Sequence, residues 1–119
     1  MADQTVSIIK VHDILIATMP ADPDDATVTS LQERILQTMD TTKAKGLVLD
    51  VSGVETLDSF FARTTIETAQ MIHLMGGRTV IVGMRPSVAI TATQLGLALK
   101  LRRVSSAVNV DRALDILSQ

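Results

Sequence analysis

Leu47-Val48-Leu49-Asp50-Val51-Ser52-Gly53-Val54-Glu55-Thr56-Leu57-Asp58-Ser59-Phe60-Phe61-Ala62-Arg63 is the stretch whose reading decides the fold. Its first five residues are a compact apolar run of strand length, the pattern of a strand buried on both faces. Ser52 to Leu57 is a polar loop. Asp58 is a good helix N-cap, and a helical apolar pattern follows it as far as Gly76-Gly77, which read as the C-cap. Thr79-Val80-Ile81-Val82 is a second buried strand. Strand, helix and strand at this spacing form a right-handed parallel unit.

Working outward, the stretch Val6 to Lys10, with apolar Val6, Ile8, Ile9 and the following Val11, and Ile14-Leu15-Ile16-Ala17 flank the polar pair His12-Asp13 and read as a hairpin. Asp22 is placed as a cap with Pro23 at the first helical position, while Asp24 and Asp25 complement the positive helix end. Val28, Leu31, Ile35 and Met39 then form a helical stripe, so a helix is expected over about 24–43, closed by Gly46. After the second strand, Arg85-Pro86-Ser87 opens a helix with Val88, Ala92 and Leu95 on one face, ended by Gly96. A short strand is expected around Leu101 to Ser105. Asn109 caps a last helix with Val110, Ala113, Leu114 and Leu117 inward. The order β-β-α-β-α-β-α-β-α predicts an α/β fold with a mixed, mostly parallel sheet, an N-terminal hairpin and about four helices.

A length of 119 residues suits one domain, 1–119, and leaves no room for two. The chain has no Cys, Trp or Tyr, and its only aromatics are the neighbours Phe60 and Phe61. Without cysteine there is no disulfide scaffold, thiolate metal site or cysteine nucleophile. A net charge of −2 and the lack of stacking aromatics argue against nucleic acid. Apolar runs such as Val80-Ile81-Val82 and Leu97-Ala98-Leu99 are too short to span a bilayer, and Met-Ala-Asp-Gln does not open a signal peptide. The expectation is a cytoplasmic protein that engages neither nucleic acid nor membrane.

Catalytic equipment is sparse. The loop after Val51 holds only Gly53, so neither the dinucleotide fingerprint nor the phosphate loop is present. His12 and His73 lack metal-ligand spacing, and Gly53-Val54-Glu55 is no nucleophile elbow. No cofactor, no metal and no enzymatic activity are expected. Asp50 stands where a receiver domain carries its phospho-acceptor, but only Asp13 lies near the first strand and Ser105-Ser106 follow the last. Its simpler role is to accept loop N–H bonds.

Ser59 has two readings. A serine at a helix start is common for capping reasons. A phosphoryl group there would also meet free backbone N–H groups and add roughly −1.5 to −2 charges beside Asp58. The helix that follows is apolar over a wide arc. Phe60, Met71 and Met75 lie on one line, with Phe61 and Ile72 near it, and Ala62, Ile66 and Ala69 on another. Deep burial and a partner-docking end both fit, since aromatics and Met are enriched at interfaces.

Leu49-Asp50-Val51-Ser52-Gly53-Val54 with Leu57-Asp58-Ser59 resembles the signature of STAS domains, the family of bacterial anti-sigma factor antagonists. Gly83-Met84-Arg85-Pro86 with Thr91 and Leu95-Gly96 resembles the family's later block, as found in stressosome members. Simple antagonists carry Ser-Gly after the acceptor serine, where this chain has Phe60-Phe61. It is therefore more similar to the short scaffold branch, the RsbS-like proteins. That resemblance implies a self-associating assembly with RsbR-type STAS paralogues, which sequesters an RsbT-type serine kinase in general stress signalling. It implies Ser59 as the phospho-acceptor whose modification releases the kinase, Thr91 as a second candidate, and Asp58, Phe60, Phe61 and Arg63 as the partner face. The alternative it leaves open is a simple anti-sigma factor antagonist regulated by serine phosphorylation.

Overall fold

The computed structural model describes residues 6–96 and 104–119. Their elements are β1 (Ser7–Val11), β2 (Ile14–Thr18), α1 (Asp25–Thr42), β3 (Gly46–Asp50), α2 (Ser59–Leu74), β4 (Arg78–Val82), α3 (Pro86–Gln94), β5 (Ser105–Ala107) and α4 (Val110–Leu117). They build a five-stranded sheet in the order β1-β2-β3-β4-β5. β1 pairs antiparallel to β2, and the remaining pairs are parallel, as the α/β reading expected.

The alternation of side chains along a strand sorts the apolar residues onto two faces. Leu15, Ala17, Leu47, Leu49 and Ile81 pack against Val28, Leu31, Ile35 and Met39 of α1 and Phe61 and Ile72 of α2. Ile14, Ile16, Val48, Val80 and Val82 pack against Ala113 of α4 on the other side. Because both faces are covered, the central strands read as unbroken apolar runs. Thr79 interrupts the first face. It is buried among apolar neighbours, and its hydroxyl finds no partner among the described residues. An unpaired buried hydroxyl costs stability, whereas a methyl of the same shape does not. Thr79→Val should therefore raise the unfolding free energy by about 1 kcal/mol in urea denaturation.

Three expected boundaries move. Asp24, not Asp22, caps α1, because the helix begins at Asp25 and only Asp24 reaches the Thr27 amide, at 2.8 Å. The Thr27 hydroxyl and amide together hold the Asp24 carboxyl below the usual carboxylate range. Gly46 does not close α1. Lys43 does so in a left-handed conformation (φ 57°), its N–H bonding the Met39 carbonyl. Gly46 instead starts β3, where a Cβ would meet the Leu117 methyls of α4 at 3.2 Å. The last strand runs over Ser105–Ala107, in register with Val80–Val82, and so reaches two residues beyond the expected end at Ser105. Residues 101–103 of that expectation lie outside the described residues. The Gly76-Gly77 cap forms as read, with both amides bonding back to the carbonyls of His73 and Ile72.

Candidate functional site

The carboxyl ends of β3 and β4 face the loops that carry the sequence signature. Asp50 ends β3, and its carboxylate accepts the Ser52 amide at 2.9 Å, the backbone role the residue pattern suggested. Its backbone carbonyl accepts from Met19 at 3.0 Å. Asp13 sits at the opposite end of the parallel strands, where its carbonyl accepts the Lys45 amide at 2.7 Å. Asp13 and Asp50 therefore cannot share a magnesium ion, and the receiver-type pocket does not form.

The loop over residues 51–58 is held from three sides. Val54 is fully buried, and its amide bonds the Val51 carbonyl at 3.0 Å. Glu55 donates its amide to Ala21, and the Thr56 hydroxyl donates to Asp22, tying the loop to the segment before α1. Arg85 at the N-cap of α3 donates its Nε to the Ser52 carbonyl at 2.9 Å. Gly83 closes the clamp, since a Cβ there would stand 2.6 Å from Ser52 Cβ. These ties reduce the freedom of the loop before α2 begins.

α2 then starts as the sequence implied. Asp58 is its N-cap and accepts the Phe61 amide at 2.8 Å. Ser59 is the first helical residue and is exposed, as is Arg63. Phe60 is half-buried, and the Arg63 guanidinium lies 5.6 Å from its ring centroid. Arg63 Nε also stands 3.9 Å from Glu67 Oε1. Ser59, Arg63, Glu67 and Gln70 line one open groove with Leu95.

Two expectations need correction. Phe61, expected on the partner face, is only 4% exposed and packs into the core with Val51, Val54 and Val88. Successive helical residues turn by about 100°, and the inward turn belongs to Phe61. Leu95, expected on one face with Val88 and Ala92, does not share their burial. It is the C-cap, 40% exposed, and lines the groove beside Ser59. Thr91 lies in α3, half-buried, with its hydroxyl donating to the Ser87 carbonyl at 3.2 Å. Sequence reasoning missed the Arg85–Ser52 and Thr56–Asp22 ties, which join residues far apart in the chain. The Arg85-Pro86 dipeptide signalled a helix start but not what its guanidinium would reach.

Among the described residues no helix is long and apolar enough to cross a membrane. The RsbS protein of Moorella thermoacetica is similar in structure, 35% identical, with a TM-score of 0.83 over 95% of this chain and 94% of that one. A chain from a structure of the stressosome, described as a signal integration and transduction hub, is also 35% identical. Its TM-score is 0.75 over 94% of this chain and 96% of that one. The RsbT co-antagonist protein RsbRC of Bacillus subtilis is 29% identical over 91 residues, 76% of this chain. This chain spans only 32% of that curated relative's length. The STAS domain model matches residues 5–110, covering the sheet, the clamped loop and α2, and the chain belongs to the STAS-domain family.

Proposed function

We propose that this chain is a non-enzymatic scaffold of a stressosome-type assembly in bacterial stress signalling. It self-associates with RsbR-type STAS paralogues in the cytoplasm, holds an RsbT-type serine kinase, and lets it go when Ser59 is phosphorylated. The observation that carries the reading is the setting of Ser59. It is an exposed hydroxyl at the first position of a capped helix, presented by a loop tied on three sides. The likeness to RsbS over nearly the whole of both chains supports the stressosome reading over the simple antagonist.

The chemistry asks little of this chain. The Ser59 Oγ attacks the γ-phosphorus of ATP, and the bond from that phosphorus to the β–γ bridging oxygen breaks. The hydroxyl proton passes to the kinase's base and ADP leaves. The scaffold supplies a nucleophile held in place, and Asp58, Phe60 and Arg63 supply the surrounding contact surface.

Incubation with the cognate RsbT-type kinase and ATP, followed by mass spectrometry, tests the reading. One phosphate on Ser59 is expected, absent in Ser59→Ala and retained in Thr91→Ala. Unchanged labelling of Ser59→Ala overturns it. Size-exclusion chromatography with an RsbR-type partner should give very large particles. A small heterocomplex with an anti-sigma kinase alone would instead favour the simple antagonist.

A further inference from the structure

Arg63 is held by two weak contacts. Its guanidinium sits at 5.6 Å from the Phe60 ring centroid, near the outer limit of a cation–π contact. Its ion pair with Glu67 is long, at 3.9 Å, and the two side chains are 65% and 48% exposed. The order of that pair is also the unfavourable one, with the cation on the N-terminal side of the anion along the helix.

Ser59 precedes Arg63 by one helical turn, and both line the same groove. Side chains four apart have Cβ atoms about 5–6 Å from each other, and long side chains lean toward the helix N-terminus. A phosphoryl group on Ser59 would place roughly −1.5 to −2 charges there, with three oxygens that suit a guanidinium fork. The pair would then have its anion on the N-terminal side, the favourable order. Asp58 increases the need for a cation, since its carboxylate flanks the same position and is committed to the Phe61 amide. Arg85 is engaged by the Ser52 carbonyl.

We infer that Arg63 is a relay for the phosphoryl group: on modification of Ser59 its guanidinium leaves Phe60 and Glu67 for the phosphate. One phosphate then changes the face twice, adding charge at Ser59 and uncovering the Phe60 ring and the Glu67 carboxylate. The inference rests on the reading of Ser59 as the acceptor.

Phosphoserine placed at position 59 during translation of the full chain tests the relay without any kinase. The second phosphate ionisation, followed by 31P NMR, should have its midpoint about half a unit lower in the parent than in Arg63→Gln. Arg63→Lys should recover part of the difference, and molar salt should shrink it. The upfield ring-current shift of the Arg63 side-chain protons should be present in the unmodified chain and lost in the phosphorylated one. Equal midpoints in the parent and Arg63→Gln, or a ring-current shift that survives phosphorylation, overturn the relay. Either result would leave kinase labelling of Ser59 standing. Conversely, absence of that labelling would leave this measurement intact.

Discussion

Phosphorylation of Ser59 is expected to weaken the docked RsbT-type kinase about 100-fold, some 3 kcal/mol, measured by calorimetry on the purified pair. On the proposed reading, the effect comes from a dianion arriving in the surface that would contact the kinase around Ser59. Like-charge juxtaposition across an interface costs several kcal/mol, and the phosphate must also shed water wherever the kinase covers it. Asp58 intensifies the repulsion from the adjacent position. Because the charge is exposed, molar salt should recover part of the lost affinity. The fold itself should stay as it is: the N-cap bond from the Phe61 amide to Asp58 and the buried Phe61 ring do not depend on the Ser59 hydroxyl. A phosphorylated chain that keeps full affinity would refute the electrostatic release, and so would a structure of Ser59→Asp with α2 rearranged.

Gly83→Ala should cost roughly 2–4 kcal/mol in urea denaturation. Two penalties act together. Gly83 has φ +76°, where a side chain is strained, and the new Cβ would meet Ser52 at 2.6 Å from its Cβ and 3.0 Å from its Cα. That obstacle is backbone and the root of a short side chain, so it cannot swing aside. The loop must shift, and the Arg85 bond to the Ser52 carbonyl goes with it. Gly76→Ala separates the two penalties. Its φ is +87°, but nothing stands within 4 Å of the new Cβ, so only the conformational cost of about 1 kcal/mol remains. Equal losses at the two positions would mean that Gly83 does not clamp the loop. Since the loop presents Ser59, Gly83→Ala should also slow phosphorylation of the folded fraction.

The elements that were legible in the sequence are those governed by local physics. Asp58 caps α2 because a carboxylate reaches an amide three residues ahead, a contact written entirely within Asp58 to Phe61. That local pattern also places Ser59 at the first helical position, so the candidate acceptor could be found without coordinates. The strands over 46–50 and 78–82 were legible because burial on both faces demands unbroken apolar runs. The α1 cap was not, since Asp22 and Asp24 are equally good caps by type. In the structure Asp24 takes the Thr27 amide, while Asp22 accepts the Thr56 hydroxyl of a distant loop.

The sequence by itself determined the order of strands and helices, the capped start of α2 and the poverty of catalytic groups. Each follows from composition or from interactions spanning a few residues. Only the tertiary structure decided which phenylalanine turns inward, why position 46 has no side chain, and that Arg85 and Gly83 clamp the loop before Ser59. Those outcomes depend on close approach between segments far apart in the chain. Phe61 is buried because the sheet and α3 close over it, Gly46 is bare because Leu117 of α4 packs on it, and Phe60 stays half-buried with Arg63 over its ring. Packing geometry at ångström scale, which no local pattern encodes, chose among residues that the sequence left equivalent.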